Sequence, residues 1–77
     1  MKQNELKAAR VRLGVTQEDC AKVLGITKVA YSQKERGVGN FSLEQAGALR
    51  GYLQLKDADF LNIFFADNVY TNDNKAV

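Results

Sequence analysis

Lys28, Val29, Ser32 and Gln33 are one, three and four positions apart, so a helix running through them would show all four on one side. Their types suit the edges of nucleic-acid bases. Glutamine and serine hydrogen-bond to them, lysine reaches guanine or phosphate, and valine can meet a thymine methyl. No acid, which would repel a polyanion, occurs among residues 27 to 34. The rest of the chain offers little other chemistry. It has no histidine and a single cysteine, Cys20, too few ligands for a metal site or an internal disulfide. Glu18-Asp19 and Asp57/Asp59 stand where the first turn of a helix favours acids. With no nucleophile beside a base and no Gly-rich phosphate loop, neither an enzyme nor a cofactor or small-molecule site is expected.

The elements that must position these residues can be read from caps and spacing. The absence of proline and of alternating β-branched runs predicts an all-α domain. Asn4 is a candidate cap for a first helix to about Leu13, with Leu6, Ala9, Val11 and Leu13 as an imperfect apolar stripe and Gly14 as its stop. Thr16 caps a second helix, with Asp19 three residues on as in a capping box. Its apolar positions are Cys20, Ala21, Val23 and Leu24, and Gly25 follows at the turn. Thr27 caps the third helix, in which Tyr31 faces inward with its hydroxyl directed toward the surface, and Arg36-Gly37 ends it. The break between the second and third helices spans about three residues, the length of a helix-turn-helix corner. Ser42 and Gln45 form another capping box ahead of a fourth helix whose inner line is Leu43, Ala46, Leu49 and Leu53. A fifth helix starts at Asp57 or Asp59 and runs through Phe65. Leu13, Leu24, Ile26 and Leu43 join the expected core. Residues 1–66 are expected to be one domain and 67–77 a polar, flexible tail, apart from Val69-Tyr70.

Charge divides the chain. Residues 1–36 carry eight Lys/Arg against four acids, a balance of +4, whereas residues 37–77 carry three against five, a balance of −2. A basic half points toward a polyanion. No apolar run approaches the roughly 20 residues of a membrane span. With one cysteine, this composition leads to the expectation of a soluble protein of a reducing cytoplasm.

Residues 13–27 (LGVTQEDCAKVLGIT), the KERG that ends the third helix, the FSLEQAGAL that opens the fourth and the closing FLNIFF together resemble the phage Cro/repressor-like (Xre-type) helix-turn-helix family, over about residues 6 to 65. The resemblance implies a single five-helix, lambda-repressor-like domain whose third helix enters the major groove of double-stranded DNA. It implies a regulator of a phage or mobile element, in a bacterial cytoplasm and at the nucleoid when bound, whose dimer occupies a two-fold operator. Lys28, Val29, Ser32 and Gln33 would then read bases. Thr16, Gln17, Thr27, Arg36 and Asn40 would hold the DNA backbone, and Arg10 and Glu35 would form a structural ion pair. Lys34 stands where many members have a large apolar residue, and would bury its stem with the ammonium near the DNA backbone.

The segment Phe60–Phe65 has more apolar surface than one core face uses. Phe60, Ile63, Phe64 and Phe65 are therefore the expected homodimer interface. The rival expectation is a protein-interaction module, an antirepressor or antitoxin, working through this same segment.

Overall fold

A computed structural model describes residues 1–65 of the chain. Five helices follow one another: α1 (Gln3–Leu13), α2 (Gln17–Leu24), α3 (Lys28–Glu35), α4 (Leu43–Tyr52) and α5 (Asp57–Phe64). No strand occurs among the described residues. α2 packs on α3 and α4, and α1 packs on α3 and α5. The expected tail, including Val69-Tyr70, lies outside the described residues.

Local chemistry starts and stops most of these helices. Thr16 and Ser42 each close a reciprocal capping box, with Asp19 and Gln45, and the Thr27 hydroxyl accepts the Ala30 N–H at 3.0 Å. Gly25 sits at φ 71°, and the Ile26 N–H beyond it closes back on the Ala21 carbonyl at 3.0 Å, which turns the chain sharply from α2 toward α3. α1 departs from the expected cap. It begins at Gln3 behind Lys2, and no side chain caps it. A tertiary contact anchors that end instead: the Lys2 backbone N–H donates to Ile63 O at 2.8 Å and its ammonium to Asn62 Oδ1 at 3.0 Å. α5 likewise starts behind an uncapped Lys56 and ends at Phe64, with Phe65 just beyond.

The core consists of Leu6, Ala9, Cys20, Ala21, Tyr31, Leu49, Leu53, Leu55 and Ile63, with Leu24, Ile26, Phe41, Phe60 and Phe64 half-buried against it. Four positions expected inside are exposed: Val11, Leu13, Val23 and Leu43. Leu13 and Leu43 continue the apolar stripes of α1 and α4 past the end of a core too small to cover them. Val11 is displaced because the inward line of α1 is Leu6, Ala9 and Arg10, a paired cation occupying a place where periodicity suggests an apolar residue.

The expected dimer segment is also corrected in part. Ile63 is 3% exposed and belongs to the core, so it cannot contribute to an interface. Phe60 and Phe64 are half-buried and stack within the chain, with Phe64 edge-on to Phe41 at 5.9 Å and Phe60 5.5 Å from Phe64. Leu61, in the same apolar segment, is the large apolar residue of α5 left outward, at 55% exposure. Arg50 ties α4 to α5 by pairing with Asp57 and lying over the Phe60 ring at 5.2 Å.

Candidate nucleic-acid interface

α3 is an eight-residue helix with two unlike sides. Tyr31 and Glu35, one turn apart, are buried, whereas Lys28, Val29 and Gln33 are exposed and Ser32 is half-buried. Val29 has 67% of its surface in solvent, an isolated apolar contact point among polar neighbours. The four sequence-singled residues therefore do share the outward side of one helix. Arg36, just past α3, is exposed as well.

What holds α3 at its angle is a buried polar cluster at the junction of α1, α2 and α3. The Glu35 carboxylate accepts four hydrogen bonds, two at each oxygen. Arg10 Nε (2.9 Å) and the Tyr31 hydroxyl (2.8 Å) donate to Oε2, while Arg10 Nη2 (3.2 Å) and Gln17 Nε2 (2.8 Å) donate to Oε1. Arg10 Nη1 also donates to Val15 O at 3.0 Å, fixing the link between α1 and α2. Among the described residues no buried side-chain polar atom lacks a partner. A carboxylate with every lone-pair direction filled and a guanidinium alongside meets the condition under which a buried charge is tolerated.

The electrostatics follow. Burial works against the charge on Glu35, but the donors Arg10, Gln17 and Tyr31 outweigh it and hold its carboxyl below the ordinary value. The hydrogen bond to Glu35 raises Arg10 further. Burial, reinforced by donation to Glu35, pushes the Tyr31 phenol far above its usual range. Burial likewise raises the Cys20 thiol, which is completely enclosed.

Three expected side chains have different surroundings from those foreseen. The Tyr31 hydroxyl does not reach the surface but ends on Glu35. Gln17, half-buried, is bonded inward by its amide as well as standing at the start of α2. Lys34 is half-buried as expected, yet its ammonium donates to Asn40 O at 2.7 Å and so braces the loop after α3. The Thr16 hydroxyl accepts the Asp19 N–H at 3.0 Å as a cap, and the hydrogen bonds that Thr16 gives back, from its backbone N–H first and then its side chain, hold the Asp19 carboxyl below its ordinary value. Beside it a shallow groove runs between α1, α2 and α3, lined by Lys7, Thr16, Gln17 and Lys28 among others. Lys7 carries no sequence signal that separates it from an ordinary solvated lysine. It comes to this groove only through the packing of α1.

Comparison with known proteins agrees with this geometry. A helix-turn-helix family model of the Cro/C1 type, Xre-like, matches residues 6–61, from α1 into α5. Comparison with curated proteins and with solved structures gave no match. No helix among the described residues is long and apolar enough to cross a membrane.

Proposed function

The chain belongs to the Cro/C1-type helix-turn-helix family of DNA-binding regulators, and on that footing we propose that it is a sequence-specific repressor of a phage or mobile element. It acts in the cytoplasm, binding a two-fold operator as a homodimer and blocking an overlapping promoter by occupancy. Each α3 enters a major groove, the two about 34 Å apart along the duplex. Lys28, Val29, Ser32 and Gln33 read base edges, while Thr16, Gln17, Thr27, Arg36 and Asn40 hold the phosphates on either side.

The observation that carries this proposal is the outward side of α3. It is polar and cationic, free of acids from residue 27 to 34, and backed by a helix face locked into the core. A protein-docking helix would be expected to show a broader apolar face. For the dimer, Leu61 is the exposed large apolar residue of α5, and Phe60, Phe64 and Phe65 beside it are half-buried.

Selection of bound sequences from a randomised duplex pool tests operator binding, symmetry and half-site spacing together. Recovery of a two-fold motif is expected, with Gln33→Ala relaxing preference at one base pair by about 1–3 kcal/mol. Gln17→Ala should weaken all sequences alike. Identical, sequence-independent losses for the two variants would refute the division of roles. Failure to enrich any sequence would instead favour the antirepressor or antitoxin class.

A further inference from the structure

We infer that Glu35 is a positioning residue for DNA binding: it holds the Gln17 amide in the orientation that meets a phosphate. This inference rests on the proposed phosphate contact of Gln17.

A carboxylate only accepts hydrogen bonds, so the amide must turn its NH2 toward Glu35, as the 2.8 Å bond from Nε2 to Oε1 records. One amide proton is thereby engaged inward. The other remains a donor, and Gln17 is only half-buried and lines the groove shared with Thr16, Lys7 and Lys28. A free surface glutamine must surrender rotamer freedom when it binds, and here that freedom is already lost in the folded protein. The anchor is itself immobile. Glu35 is 4% exposed and is held by Arg10 from α1 and Tyr31 from α3 as well as by Gln17 from α2. The cluster that sets the angle of α3 therefore also sets one contact to the DNA backbone, so base reading and backbone anchoring share one reference point.

The division of labour between the two carboxylate oxygens supplies a control. Tyr31 donates to Oε2, whereas Gln17 donates to Oε1. Tyr31→Phe should weaken the fold without releasing Gln17. Glu35→Asp keeps the charge for Arg10, whose long side chain can follow it, but withdraws the carboxylate by one methylene from Gln17.

The test measures affinity for a short duplex recovered from a randomised pool at fixed salt. Gln17 is uncharged, so losing its contact should leave the salt dependence, which counts phosphates neutralised by Lys and Arg, unchanged. Gln17→Ala and Glu35→Asp should each weaken binding, the double variant no more than Gln17→Ala alone, and Tyr31→Phe should weaken it not at all. Glu35→Asp should cost roughly two- to tenfold in affinity, the scale of one immobilised side chain. Side-chain amide relaxation in the free wild-type protein gives a second measure that needs no variant to fold. Gln17 should be ordered near the backbone level, about 0.85, and exposed Gln33 mobile, below about 0.6. A Gln17 amide as mobile as that of Gln33 overturns the inference, as does wild-type affinity in Glu35→Asp when Gln17→Ala binds more weakly. Wild-type affinity in Gln17→Ala overturns the phosphate role of Gln17 and this inference together.

Discussion

Replacing Arg10 by methionine should make the protein's stability depend on acid in the opposite sense to the wild type at one group. Arg10 is 8% exposed and makes three hydrogen bonds, two to Glu35 and one to Val15 O. Methionine fills much of the same volume but leaves a buried carboxylate with two neutral donors, Gln17 and Tyr31. Breaking one side of a buried pair costs about 3–5 kcal/mol. A domain of this length has on the order of 4–12 kcal/mol in total, so the variant should be near its folding limit at neutral pH.

In the wild type the folded pKa of Glu35 lies below its unfolded value. Its contribution is therefore present above the ordinary carboxylate range and is lost as pH falls through the folded pKa. In Arg10→Met, burial, which is the largest single influence on this carboxyl, no longer faces a cation. The folded pKa should then rise above the unfolded one, so that protonation favours the folded state. Urea unfolding followed by far-UV circular dichroism, from neutral to mildly acidic pH, would give the difference between the two proteins at each pH. The other carboxylates are common to both and cancel. The gap should shrink as pH falls. A gap that stays constant or widens would refute the claim that Glu35 is held ionised in the core by Arg10.

Other perturbations have simpler signs. Thr27→Ala removes the cap on α3 and should destabilise by about 1 kcal/mol, measured by urea unfolding, with a larger effect than Asn4→Ala, which caps nothing. Gln54 has φ 58°, a left-handed conformation that costs a non-glycine residue roughly 1 kcal/mol. Gln54→Gly should therefore hold or raise the thermal midpoint, while Gln54→Val lowers it. Ile63→Ala should cost about 2–5 kcal/mol in the protein whatever its concentration, since Ile63 is core. Leu61→Ser should leave folding nearly unchanged and, if the dimer uses α5, weaken association in sedimentation. Cys20, fully enclosed and with its thiol pushed up by burial, should resist alkylation until the domain opens, so its labelling rate should track urea-induced unfolding.

The all-α class, the corner between α2 and α3 and the outward set Lys28, Val29, Ser32 and Gln33 were legible from the chain alone, because they depend on neighbours in sequence. Thr16 with Asp19, Thr27, Ser42 with Gln45 and Gly25 act within a few residues of themselves, and helical spacing determines which side chains share a face. The same locality explains the misses. Asn4 has the right type for a cap, yet α1 starts earlier because Lys2 is held by Ile63 and Asn62, some 60 residues away. Leu13, Leu43 and Val11 have apolar character at helical spacing, but spacing says nothing of where a small core ends.

The amino-acid sequence thus determined which residues the corner presents outward, since that depends only on local caps and the helical period. Tertiary packing alone decided what fixes their direction. Arg10, Gln17, Tyr31 and Glu35 come from three helices and meet only when the core closes. A buried carboxylate must find all its donors at once or remain a costly orphan. For the same reason, Gln17 can be recognised in sequence as a candidate DNA contact, whereas its anchoring to Glu35 exists only in the folded domain.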